Sequence, residues 1–348
     1  LIPINYMKLH SGGIKIVIAV VVLCAAAFFL FFNILGITGK LTPPEEKKLQ
    51  KINIAFQSWV GYGPLYLAAE KGFFKEEGIE VIFINEELDT ARRDAFKAGM
   101  LDCEGGTLDL LVAKTSQGAP IVAVLEMGFS YGGDGIVAAE DIKNLKGLAG
   151  RKVALTRGDV NETFISYLFY EAKLPLDSLN FIYRSPEKVA QAFLSGEADA
   201  AVTWEPWLSE ALKRPGAHVL ISTKENPGII VDTLNVRKDL AESNPAVVKG
   251  LMRAWLKAVK YYNEHPVEAS EIIAWHYNIK PQDYRENING MRWISYEEQV
   301  EEGRYEKLMK VFNDVSEIKF MNKAITNKPK AEEVIDETLL KGLYENSK

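Results

Sequence analysis

Two large aromatic residues, Trp59 and Tyr62, stand in a short glycine-rich loop between the alternating strand Ile52-Asn53-Ile54-Ala55-Phe56 and a helix that opens at Pro64. An α/β protein meets its ligand at such strand-to-helix turns. The two rings are therefore expected to wall a binding cleft, with packed core rings as the plain alternative. Gly106 and Thr107 begin a second helix, whose free N–H groups can hold an anionic oxygen. Asp109, two residues on, suits the dipole of that helix start. Arg157, Asn161 and Thr163 flank the start of a third helix, another candidate anion site. Asp134, within Gly132-Gly133-Asp134-Gly135, either contacts a ligand or shapes a turn. These residue types bind; they do not compose a catalytic set. His10, His218, His265 and His276 are not at metal-ligand spacing with another His or Cys. The sequence carries no Walker-type phosphate loop, no dinucleotide glycine fingerprint after a strand and no nucleophile elbow. Neither an enzyme, a cofactor nor a metal is expected.

Such residues need elements to hold them. Pro64 suits the first helical position, where a missing N–H costs nothing. Leu65, Ala68 and Ala69 then give that helix one apolar face, and Gly72 can supply its left-handed end. Further on, Lys152–Thr156, Asn180–Tyr183 and Asp199–Thr203 read as strands, alternating with helices over Asn161–Leu174 and Pro186–Leu194. This alternation predicts an α/β architecture built on parallel sheets. Two segments echo each other: Gly99-Met100-Leu101-Asp102-Cys103 and Gly196-Glu197-Ala198-Asp199-Ala200. In each, Gly would end a helix and Asp would start a buried strand. The C-terminal part reads as helices near Pro245–His265, Pro266–Tyr277, Tyr296–Val315 and Ala331–Tyr344.

At 348 residues the chain is long for one core, so two lobes are expected. The net charge of −6 is unevenly spread: the only charged residues before Glu45 are Lys8, Lys15 and Lys40. Without those three, 38 basic residues face 47 acidic ones, a balance of −9. Such a surface repels phosphate backbones and argues against nucleic-acid binding. Residues 16–37 are apolar almost throughout and as a helix would span roughly 33 Å, enough to cross a bilayer core. They read as an anchor or uncleaved signal, with 1–15 cytoplasmic by the positive-inside rule and 38–51 as a proline-stiffened tether. Cys24 falls inside that segment, which leaves Cys103 without an intrachain disulfide partner.

The run from Trp59 to Phe74, with Pro64-Leu65, Ala68-Ala69 and Lys71-Gly72-Phe73-Phe74, resembles the first strand-loop-helix of the nitrate/sulfonate/taurine family of periplasmic substrate-binding proteins, the receptors of ABC importers. Lys75-Glu76-Glu77-Gly78-Ile79-Glu80-Val81 continues the likeness. The resemblance implies a type 2 periplasmic-binding-protein fold with two lobes joined by a two-strand hinge. Lobe 1 would be discontinuous, 52–133 with 232–348, and lobe 2 would be 134–231. It also implies an extracytoplasmic domain working as a monomer with an ABC permease and its ATPase. Trp204-Glu205-Pro206-Trp207 resembles the family's second-lobe binding turn, with Trp204 and Glu205 toward the cleft, and Asp232 resembles a position close to the ligand. Asp134, Glu205 and Asp232 would then oppose closure on a bare anion. The expected ligand is small and amine-bearing or zwitterionic, of the taurine kind, with its anionic end on the helix starts and Arg157. A membrane-anchored sensor, an enzyme on the same fold, and an importer receptor for a thiamine-pyrimidine, guanidine-like or oxyanion ligand are the alternatives.

Overall fold

The alternation of β1 (Gln50–Phe56) decides how it sits: Ile52, Ile54 and Phe56 face one apolar cluster and Ala55 faces another. The computed structural model describes residues 49–341 and 343. The expected anchor and most of the tether lie outside the described residues, among which no helix is long and apolar enough to cross a membrane.

Two sheets organise the described chain. The first contains β1, β2 (Ile79–Asn85), β3 (Cys103–Thr107), β4 (Ile121–Ser130), β10 (Val231–Arg237) and β11 (Met291–Trp293), in the order β11-β4-β10-β3-β1-β2. The second contains β5 (Asp134–Ala138), β6 (Lys152–Leu155), β7 (Asn180–Tyr183), β8 (Ala200–Trp204) and β9 (His218–Ser222), in the order β7-β6-β8-β5-β9. Each sheet has a parallel trio, β2-β1-β3 and β7-β6-β8, joined on one side by antiparallel strands. Each therefore mixes directions, where the helix–strand alternation predicts parallel pairing alone. The chain crosses between sheets at Tyr131–Gly133 and returns after Ser222 to Val231. Position 133 tolerates only glycine, since a Cβ there would lie 2.6 Å from the Gly290 carbonyl oxygen.

The two echoing segments have the same physical role in the two sheets. Asp102 Oδ2 accepts the Asn53 backbone N–H at 2.9 Å, and Asp199 Oδ2 accepts that of Lys152 at the same distance. Each carboxylate thus pins the mouth of its strand to the neighbouring parallel strand. Gly99 and Gly196, at φ of 69° and 78°, end the preceding helices.

The C-terminal part departs from expectation at three points. The helix read over 296–315 is two, Tyr296–Gln299 and Arg304–Met321, because Gly303 takes φ of 81°. The expected 331–344 helix is interrupted at Ile335, which bridges to Ala123 of β4. Met291–Trp293 pairs with β4 as an edge strand where only helix was read.

Candidate ligand-binding cleft

Two pairs of register neighbours build the site. In the first sheet Asp232 lies opposite Thr107, and in the second Asp134 lies opposite Trp204. All four line one cavity, together with Gln57 and Trp59 beyond β1, Ser130 at the end of β4, Val160 at the start of the helix Val160–Glu171, and Ile230. The elements that deliver them are strand ends and crossings, the usual ligand face of an α/β sheet. The cavity holds about 10 Å³, room for about one water.

Its electrostatics are one-sided. Burial pushes the Asp134 carboxyl up to about 8, with Asp232, Asp159 and Asp109 adding to it and the Ser130 hydroxyl opposing. Burial likewise raises Asp232 to about 7, against hydrogen bonds from Tyr62 and Trp59. No residue lining the cavity carries a positive charge. Half-buried Asp159, which caps the helix Val160–Glu171, is raised to about 6, again by burial first.

The cavity walls include Trp59, Thr107, Asp134, Trp204 and Asp232 from the expected set. Trp59 lies over Gly61, where a Cβ would come within 2.3 Å of the indole nitrogen. Trp204 is half-buried and packs on the first sheet's core, while Trp207 packs into a core cluster of the second.

Six expected residues do not face the cavity. Tyr62 is buried in the core, with its ring against Gly105, and its hydroxyl donates to Asp232 Oδ1 at 2.6 Å. It positions a cleft residue instead of forming the wall. Gly106 turns toward Glu104 and Asn235 beneath the sheet. Arg157 stacks 4.0 Å above the ring of half-buried Tyr183, held by cation–π attraction. Glu205 is taken by its own helix, accepting from Ser209 N at 3.1 Å and Ser209 Oγ at 2.9 Å. Thr163 donates to Asp109 Oδ2 at 2.9 Å, and Lys319 reaches the same oxygen at 3.1 Å. Asp109 therefore does more than serve a helix dipole: it ties the helix after β3 to the helix after β6. Asn161 is fully buried, with neither side-chain amide atom hydrogen-bonded among the described residues.

Sequence reasoning missed Gln57, Ser130, Val160 and Ile230. Gln57 carried a readable signal, since it directly follows the C-terminal end of a parallel strand. Below the cleft, Glu104 is held by Lys114 at 2.6 Å and Arg92 at 3.2 Å, all fully buried. Burial works against the Glu104 carboxylate, but Lys114 and Arg92 outweigh it and hold it below its ordinary range.

Residues 59–269 match the family described as NMT1/THI5 like. The chain belongs to that family. A relative in Bacillus subtilis (strain 168), named "Putative aliphatic sulfonates-binding protein", is 27% identical over 338 residues, covering 91% of this chain and 95% of its own. The periplasmic aliphatic sulphonate binding protein SsuA from Escherichia coli superposes with a TM-score of 0.69 at 17% identity, over 82% of this chain and 92% of SsuA. The periplasmic nitrate-binding protein NrtA from Synechocystis PCC 6803 gives 0.63 at 16%, over 86% and 89%. The resemblance read from the Trp59–Phe74 segment therefore holds, and the family's fold is that of a periplasmic binding protein.

Proposed function

We propose that the chain is the solute-binding component of an ABC importer. It captures a small ligand that presents a protonated amine or amidinium to Asp134 and Asp232, between the rings of Trp59 and Trp204. One observation carries the reading on ligand charge: two buried carboxylates face a single cavity whose lining holds no cation. Each is held partly protonated near neutral pH because its ionised form has no compensating charge. A ligand cation supplies that charge, and the indole faces add cation–π attraction of about 0.5–2 kcal/mol. Near-full-length similarity to a named binding protein supports the importer role and, with it, a permease and ATPase as partners.

Because the cavity has room for about one water, the walls must part to admit a ligand. Residues 52–133 with 232–348 would move as one lobe and 134–231 as the other, turning about the crossings at Tyr131–Gly133 and Gly228–Asp232. A zwitterion such as taurine can rest its sulfonate only on the helix starts at Thr107 and Val160, since Arg157 is engaged with Tyr183. Simple amines and amidines are therefore favoured over aminosulfonates. Calorimetric titration of the chain with alkylamines, guanidine, an aminopyrimidine, taurine, alkanesulfonates and nitrate tests this reading. Saturable binding of an amine or amidine is expected; tight binding of nitrate or an alkanesulfonate with no response to any amine refutes it.

A further inference from the structure

A second cavity lies apart from the cleft. It encloses about 190 Å³ on the other face of the same crossing strands. Side chains alternate along a strand, so Ser130 and Asp232 look into the cleft while Phe129, Tyr131 and Val231 look into this second space. Its opposite wall is one face of the helix Arg304–Met321, with Arg304, Lys307, Leu308 and Val311 at i, i+3, i+4 and i+7.

The lining combines an apolar floor with a cationic rim. Phe129, Val231, Leu308 and Val311 supply the floor. Arg304 gives its Nε and Nη2 to buried Glu126, the first at 2.7 Å, and so neutralises the one carboxylate on the wall. Arg292 is exposed and meets Glu298 at 3.2 Å. The Lys307 side chain is exposed, forms no salt bridge or hydrogen bond among the described residues, and acts on Glu126 only through its charge. The charge pattern is thus the inverse of the cleft's. In volume, a cavity of about 150 Å³ already accommodates a benzene ring, so this one admits a ring with a carboxylate attached.

We propose that this cavity is a second ligand site, for a small organic anion with an apolar body. The anionic group sits at Lys307 and Arg292, and the body lies on Phe129, Leu308 and Val311. Because the crossing strands form one wall, the cavity changes shape whenever those strands move.

Calorimetry of the full chain with phenylacetate tests the site, with benzyl alcohol as the uncharged control and inorganic phosphate as the control for charge alone. Phenylacetate is expected to bind saturably, at least tenfold tighter than either control. The double substitution Arg292→Ala and Lys307→Ala, at exposed positions, should weaken it at least tenfold, and Val311→Trp should abolish it by filling the space. Asp134→Asn should leave phenylacetate binding within twofold, which separates this site from the amine reading of the cleft. Absence of saturable phenylacetate binding overturns the proposal, as does affinity unchanged by both sets of substitutions. Sensitivity to Asp134→Asn instead would assign the anion to the cleft and equally overturn it.

Discussion

Replacing Asp134 by asparagine should stabilise the ligand-free protein, and by an amount that depends on pH. The carboxyl is held at about 8 in the fold against an ordinary 3.8. A raised acid sets the sign: between those values the folded chain keeps a proton that the unfolded chain releases. The stability contributed at low pH is therefore lost progressively as pH rises toward 8, at about 1.36 kcal/mol per pH unit. By pH 5 the loss is between about 1 and 2 kcal/mol, and by pH 7 about 4 kcal/mol. An amide has nearly the same volume, carries no charge and can still accept from the Ser130 hydroxyl, so Asp134→Asn escapes the loss. At roughly 2 °C per kcal/mol for a chain of this size, Tm should rise on the order of 8 °C at pH 7 but only about 3 °C at pH 5. Thermal melts of parent and variant across pH 5–8 measure both. The same substitution should weaken amine binding by about 2 kcal/mol, the worth of a hydrogen bond to a charged partner. A Tm difference that is flat across pH, or a variant less stable than the parent throughout, refutes the claim that an uncompensated buried carboxylate shapes this site.

Trp204→Ala should weaken amine binding about tenfold or more, because it removes one aromatic wall while leaving both carboxylates; unchanged affinity in calorimetry would deny the ring a place in the site. Glu205→Gln should leave ligand affinity within twofold and lower stability by roughly 0.5–1 kcal/mol, since its carboxylate serves Ser209 and not the cleft; denaturant titration and calorimetry read the two effects separately. Lys114→Met should cost about 3 kcal/mol in denaturant unfolding, because it strips one of two cations from a fully buried Glu104; a loss below about 1 kcal/mol would mean that Arg92 alone suffices.

The layered fold was legible because its signals are local. Alternation in Ile52-Asn53-Ile54, proline at a helix start, and Gly99 and Gly196 at helix ends each act within a few residues. Asp102 and Asp199 were recognisable as a pair for the same reason: each pins a strand start through a bond whose sequence context repeats. What failed was direction. Tyr62 and Glu205 were the right types in the right loops, but Gly105 leaves a hollow that admits the Tyr62 ring, and Ser209, four residues on, captures Glu205. Neither competition registers as periodicity. The carboxylates depended on long-range register: β10 sets Asp232 beside Thr107, 125 residues earlier, and β5 sets Asp134 beside Trp204. Edge strand β11 is three residues long, too short for alternation to reveal.

Membership of a family with sulfonate- and nitrate-binding structural relatives does not fix the sign of the ligand here, because the fold determines where the cleft lies while a few side chains determine its charge. An anion placed near Asp134 and Asp232 while both are ionised would meet two repulsions, each about 4 kcal/mol for charges some 4 Å apart at an effective dielectric of 20. It could enter only with both carboxyls protonated, and therefore best below pH 7, the lower of their two values. A cation has the opposite requirement, displacing at least one proton below pH 7 and none above 8. Affinity for an amine should thus rise about tenfold per pH unit from 5 to 7 and level off above 8. Affinity for a sulfonate or nitrate should be flat up to about 7 and then fall. Calorimetry over pH 5–9 separates the two, since the slopes have opposite sign. An amine whose affinity does not vary between pH 5 and 8 would mean that it does not contact these carboxylates, and the charge argument for the ligand would fail with it.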